Sequence, residues 1–234
     1  MSDRNEHKND YKNKYFSILG DSISTFEHYS EPDYAAYYDV SHKLEADVLT
    51  MYDTWWGIVI EHFGGELLVN NSFAGSTVCY HEKYEIQSYS CSDERTSSLG
   101  RDGISPDIIM VYMGTNDWGC GTSIVGFDDR TFAVAYGQML EKLKRNYPNA
   151  EIWCMTLAES CCSKNADFKF PRCYSCRDIE EYCTAIRECA QKYGCFVVDL
   201  YLDAEPYDTI DGFHPNASGM RTLANAVINA AREF

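Results

Sequence analysis

The sequence predicts an α/β domain of three layers, a parallel sheet with helices on both faces. Three observations carry this: five short apolar runs, amphipathic segments between and after them, and no internal repeat or long linker. The runs cover residues 15–20, 66–70, 107–113, 151–156 and 195–200. Runs this short, bounded by turn residues, read as buried strands. The first helical segment, Asp53 to Phe63, puts Trp56, Val59, Ile60 and Phe63 on one face. Arg130 to Tyr147 repeats apolar residues at Phe132, Val134, Ala135, Met139, Leu140 and Leu143. Asp178 to Tyr193 behaves similarly, and so does Ala217 to Phe234, where Leu223, Val227 and Ala231 lie a turn apart. Strand and helix alternate, so residues 1–234 read as one domain preceded within the chain by a polar N-terminal extension, residues 1–14.

Composition narrows the function. A formal charge of −16 repels phosphate backbones and anionic lipid surfaces, which excludes nucleic acid and membrane partners and favours neutral or cationic substrates. The first residues lack an apolar h-region and no later segment is long and apolar enough to span a bilayer, so the expected location is cytoplasmic. Eleven cysteines, an odd number without a signal peptide, read as reduced thiols rather than a disulfide framework.

Ser22 sits in Tyr-Phe-Ser-Ile-Leu-Gly-Asp-Ser-Ile, residues 15–23. An apolar run that breaks at a glycine just before a serine is how a buried strand presents a side chain at its tip. Far downstream, Asp211-Gly212-Phe213-His214-Pro215 sets a carboxylate three residues from an imidazole, the pair a serine nucleophile needs. Two more blocks follow predicted strands as turns: Asn70-Asn71-Ser72-Phe73-Ala74-Gly75-Ser76, and Gly114-Thr115-Asn116-Asp117. A Gly-Asp-Ser alone also fits an ordinary polar turn; four blocks in this order are far more specific.

On these blocks the chain resembles the SGNH (GDSL-type) hydrolase family, from residue 15 to about residue 220. The resemblance implies a flavodoxin-like order for the five-stranded parallel sheet. It also implies Ser22 as nucleophile, the Ser22 and Gly75 backbone N–H groups and the Asn116 amide as oxyanion donors, and Asp211 and His214 as the base pair. In open parallel sheets ligands bind outside the carboxyl ends of the strands, so all four blocks should converge on one rim. The expected activity is a serine esterase working through an acyl-Ser22 intermediate, with no metal and no cofactor. Its expected substrate is a short-chain acyl ester, such as an acetyl ester, of a carbohydrate or another small molecule. A lipase, lysophospholipase or thioesterase of the same family is the alternative, and a non-catalytic carbohydrate-binding protein on the same fold is a third. An α/β-hydrolase would need Gly-x-Ser-x-Gly, which the Ser22 context does not supply.

Other residues have two readings each. Asp21 and Asp117 flank the candidates and read as acceptors for turn N–H groups, and Asp208 is a second carboxylate available to His214. His7, His28, His42, His62 and His81 show no metal-ligand spacing; His28 reads as an exposed loop histidine or a substrate contact. Rings cluster in the rim connections: Phe26, Tyr29, Tyr34, Tyr37 and Tyr38 after Ser22, Trp118 after Asn116, and Phe168, Phe170 and Tyr174 after the fourth strand. They pack loops or line a crevice, and Phe26, His28, Trp118, Phe170 and Tyr174 are the expected substrate contacts. Cys161, Cys162, Cys173 and Cys176 offer a zinc set, though an adjacent Cys pair suits a tetrahedral site poorly, and otherwise read as structural thiols. Cys120, four residues past Asn116, is near enough in sequence to lie by the site.

Overall fold

The computed structural model describes residues 11–31, 33–82 and 89–233. Most of the polar extension, His7 and Phe234 lie outside the described residues. Five parallel strands form the central sheet: β1 (Tyr15–Gly20), β2 (Glu66–Ser72), β3 (Ile108–Tyr112), β4 (Glu151–Met155) and, later in the chain, Phe196–Val198. Two small two-stranded sheets decorate the fourth connection and the last loop. They comprise β5 (Ser160–Cys161), β6 (Cys173–Tyr174), β7 (Arg177–Asp178) and β9 (Tyr207–Asp208), so Phe196–Val198 is β8. The helices are α1 (Val40–Ala46), α2 (Trp55–Phe63), α3 (Asp93–Ser97), α4 (Thr115–Cys120), α5 (Phe132–Asn146), α6 (Ile179–Tyr193), α7 (Leu200–Asp203) and α8 (Ala217–Glu233).

The main sheet runs in the order β2-β1-β3-β4-β8, the flavodoxin-like order. Two-residue alternation divides it into two faces. Ile108, Met110 and Tyr112 of β3 join the core under α2 and α8, whereas Ile109 and Val111 join the core under α5 and α6. Trp153 fills the first core edge-on against Phe16, Phe63, Phe196 and Tyr11. Tyr11 therefore belongs to the packed fold, and Lys14 pairs with Asp107 at 3.0 Å; the last residues of the polar stretch are tied down.

The helices start and stop where local chemistry directs. Thr54 caps α2 by accepting from the Gly57 N–H, and Gly64, at φ 67°, ends it in the left-handed region. Asp178 and Glu181 form a capping box on α6, which Gly194 terminates at φ 62°. Two strand ends differ from the expected ranges by two residues. The strand expected to end at residue 70 continues through Ser72, with Asn70 Nδ2 donating to the Ser24 carbonyl and the Asn71 carbonyl and Oδ1 both accepting from Arg95. The fifth run stops at Val198, and Leu200 opens α7 under an Asp199 cap.

Candidate active site

Strand β1 ends at Gly20, where a Cβ would lie 2.5 Å from Ser24 Cβ and 2.7 Å from Ser72 Oγ, so only glycine fits. The chain then makes a single 3-10 turn, Ser22–Ser24, capped by Asp21, whose Oδ1 accepts from the Ile23 N–H at 3.0 Å. This turn lifts Ser22 to the rim, 9% exposed. Its Oγ lies 3.0 Å from His214 Nε2. His214 Nδ1 lies 2.6 Å from Asp211 Oδ2, and Asp211 Oδ1 accepts from the backbone N–H groups of Phe213 and His214 at 2.9 and 2.8 Å. Partial burial raises the Asp211 carboxyl, but the bonds from His214 and the backbone outweigh it and hold the group well below the usual carboxylate range. Asp208 does not serve His214: it accepts instead from Ser163, Thr209 and Asn216, which occupy both its oxygens.

The loop carrying Asp211 and His214 is pinned at several points. Tyr38 donates to the Pro215 carbonyl at 2.7 Å, Tyr207 to the Phe213 carbonyl at 3.0 Å, and Ser160 to the Gly212 carbonyl. Gly212, at φ 98°, has Phe168 against it, where a Cβ would lie 2.6 Å from the ring.

The other two blocks sit on the neighbouring strands. Gly20 pairs with Ser72 of β2 and with Tyr112 of β3, so the turns after all three strands emerge side by side. Gly75 adopts φ 80°, and a Cβ there would meet nothing within 4 Å; backbone conformation requires the glycine, and the space beside it is open. The Asn116 Nδ2 donates to the Ser76 carbonyl at 2.9 Å, which joins the Asn116 and Gly75 turns and leaves a second amide hydrogen. Asp117, fully buried, accepts from the Val78 and Cys79 N–H groups at 2.8 and 3.0 Å. Burial pushes Asp117 up against those bonds. It pushes Asp21 up to about 7, with the Ile23 N–H opposing and Asp117 adding to the rise.

Arg95, which nothing in Ser92-Asp93-Glu94-Arg95-Thr96 marks in the sequence, holds these turns together. Its side chain is fully buried. It donates to Ser76 Oγ at 2.8 Å, to the Asn71 carbonyl at 2.7 Å, to the Gly20 carbonyl at 3.2 Å, and through Nε to the Asn71 side chain. One guanidinium therefore reaches the ends of β1 and β2 and the Gly75–Ser76 turn. Burial lowers it to about 10, still a cation at neutral pH.

Three of the five expected substrate contacts gather. Trp118 stacks on Phe170 with centroids 5.4 Å apart, Tyr174 packs at 5.5 Å, and Phe213, which the sequence reading passed over although it lies between Asp211 and His214, completes the group. Trp118 itself is buried and donates to the Arg177 carbonyl, so Tyr174 and the partly buried Phe170 are the rings that reach the surface. Phe26 does not join them: it is 4% exposed and packs in the core under α2 and α8. His28, at φ 66°, is exposed and lines a groove of about 840 Å³ with Tyr29, Tyr52, Asn70 and Arg101, a groove that touches none of Ser22, Asp211 or His214. Its position departs from the expected substrate contact because the chain turns outward after Phe26. Cys161 lies on β5, while Cys173 and Cys176 lie on or beside the β6–β7 hairpin, and all are free thiols. Among the described residues no three His, Cys, Asp or Glu side chains converge as a metal site, and no helix is long and apolar enough to cross a membrane.

A family model described as GDSL-like lipase/acylhydrolase matches residues 14–231. Among solved structures, a protein from Bacteroides ovatus designated a GDSL-like lipase is 29% identical, with a TM-score of 0.72 over 95% of this chain and 100% of that one. One of the same designation from Bacteroides uniformis is 30% identical, with a TM-score of 0.70 over 95% of this chain and 97% of that one. A carbohydrate acetylesterase family member from Sinorhizobium meliloti shares the fold at 16% identity, with a TM-score of 0.59 over 94% and 98% of the two chains. No curated protein matches the sequence.

Proposed function

Because the chain belongs to the GDSL-like lipase/acylhydrolase family, we propose that it is a serine esterase that cleaves a short-chain acyl ester of a carbohydrate or similar small alcohol. The observation that carries this is the continuous hydrogen-bonded line from Asp211 through His214 to Ser22 Oγ. In the proposed reaction Ser22 Oγ attacks the ester carbonyl while His214 Nε2 takes its proton, and Asp211 stabilises the resulting imidazolium. The Ser22 and Gly75 N–H groups and the free Asn116 amide hydrogen receive the developing oxyanion. The C–O bond then breaks, and His214 returns the proton to the departing alkoxide. Water, activated by His214 in turn, releases the acid and regenerates Ser22.

The alcohol preference rests on the Tyr174 and Phe170 rings beside the His214 loop, which offer a polar-edged aromatic face of the kind that stacks on sugars. The alternative of a longer-chain lipase or thioesterase draws on Val125 and Phe127, both strongly exposed on the loop that follows α4. A cytoplasmic location accords with the acidic composition and free thiols. Two measurements test the proposal. A fluorophosphonate should label Ser22 and no other residue, and p-nitrophenyl esters of increasing chain length, run beside acetylated sugars, should show rates falling beyond about four acyl carbons. Lack of Ser22 labelling would refute the esterase, and a long-chain preference would refute the substrate assignment.

A further inference from the structure

We propose that Tyr37 is a positioning residue for the base, a clamp whose ring holds the His214 imidazole in the plane from which Nε2 meets Ser22. The proposal rests on the triad reading above. The Tyr37 and His214 rings lie face to face, with centroids 3.5 Å apart and planes 10° from parallel. The Tyr37 hydroxyl donates to Asp211 Oδ2 at 3.0 Å, the same oxygen that faces His214 Nδ1. Its backbone N–H donates to Thr25 Oγ1 at 2.8 Å, and that hydroxyl donates onward to the Ser22 carbonyl at 2.8 Å. A single residue is thus bound to the carboxylate, to the imidazole face and to the turn that carries the nucleophile.

Each contact has a consequence for the base. An aromatic face stabilises a cation above it, so the stack strengthens as His214 becomes imidazolium. Covering that face also screens the Nδ1–H from water and removes the ring rotation that would carry Nε2 away from Ser22. On the other face of Tyr37 lies His42 of α1, centroids 4.5 Å apart and planes 26° from parallel, so the phenol ring is held between two imidazoles. Asp39 and Glu45, both of the α1 segment, and Asp211 are the acidic groups around Tyr37. Burial and then these charges push its phenol up, which keeps it a hydrogen-bond donor at any working pH.

The test compares Tyr37→Phe, which keeps the ring, with Tyr37→Leu, which removes it, in the full chain. Tyr37→Phe should retain kcat within about threefold, whereas Tyr37→Leu should lose about 30-fold in kcat at unchanged KM, because a base displaced by about 1 Å can cost up to about 100-fold. The low-field proton resonance of the His214 Nδ1–H should persist in the wild type and Tyr37→Phe and vanish by exchange with water in Tyr37→Leu. Melting temperatures confirm that each variant is folded. A Tyr37→Leu protein that keeps both the resonance and wild-type kcat would overturn the proposal, as would a Tyr37→Phe protein as impaired as Tyr37→Leu. Fluorophosphonate labelling of the wild type separates the two claims: its failure sinks the esterase reading, while the resonance still reports whether Tyr37 holds His214.

Discussion

Replacing Arg95 with methionine removes a cation that joins the ends of β1 and β2 to the Gly75–Ser76 turn, while filling much of the same space. Two side-chain acceptors, Asn71 Oδ1 and Ser76 Oγ, lose its donors, and the Gly20 and Asn71 carbonyls lose one each. A buried acceptor left without its donor costs about 1–3 kcal/mol, so the two side chains alone give about 2–6 kcal/mol. Against this, the variant no longer desolvates a guanidinium, a relief that can reach several kcal/mol for a fully buried ion and that selects the lower half, about 2–4 kcal/mol. For a chain of this size each kcal/mol shifts the melting temperature by about 2–4 °C, so the midpoint should drop by about 4–16 °C. Function should suffer separately: with the Gly75 turn released, the proposed oxyanion donor leaves its place and kcat should fall by about 10- to 100-fold with little change in KM. Arg95→Lys should be nearly as damaging, since one ammonium cannot reach three segments at once. Calorimetry and p-nitrophenyl acetate kinetics read both effects. A methionine variant that melts within about 2 °C of the wild type and keeps its kcat would refute the bridging role.

Further predictions follow the same geometry. Ser22→Ala and His214→Ala should each abolish esterase activity without lowering the melting temperature much, and the double variant should be no worse, because the two act as a unit; near-wild-type turnover in either would remove the triad assignment. Asn116→Ala should lower kcat by about 100-fold at constant KM, whereas a rise in KM alone would make Asn116 a ground-state contact. Asp21, raised to about 7 in the folded protein, binds a proton there that the unfolded chain releases above about 3.9. Wild-type stability should therefore fall as pH rises from about 4 to 7; Asp21→Asn should make that slope shallower, with Asp117, also raised by burial, supplying part of what is left, and an unchanged slope in thermal melts would show that Asp21 does not contribute to it. Truncating Tyr174 and Phe170 to alanine should change the rate ratio between acetylated sugars and p-nitrophenyl acetate more than the melting temperature; an unaltered ratio would detach these rings from specificity.

Strands and long helices were legible because burial on a sheet face or a helix stripe imposes a period on the sequence. The five apolar runs and four amphipathic segments all became main-sheet strands and long helices, with ends displaced by a few residues. Residues 71–72 show why ends fail: Asn and Ser read as turn formers, yet here both are buried and Arg95, from a distant helix, pairs with Asn71, which a local pattern cannot reveal. The meeting of Ser22, Asp211 and His214 was legible since each follows a strand in a short, chemically specific block. Arg95 was not, as an arginine among Ser, Asp, Glu and Thr has the composition of a solvated helix, and its burial depends on strands brought together from elsewhere. Phe26 failed in the opposite direction: of the rings that follow Ser22, periodicity does not separate the two turned into the core, Phe26 and Tyr38, from Tyr37, which faces His214. The β5–β9 and β6–β7 pairs, two residues per strand, are too short to leave a pattern at all.

The Ser22 to His214 bond spans 192 positions of the chain, and this separation sets the order of events during synthesis. Ser22 leaves the ribosome well before His214 and the helix α8 that packs behind the sheet. Strand β1 sits in the interior of the sheet and must wait for β2 and β3 before it has neighbours on both sides. Every nascent or truncated product that ends before residue 214 therefore carries Ser22 without His214. If the two act as proposed, such products should be inert towards esters however well their early strands have folded, and activity should arise only when the segment carrying His214 docks.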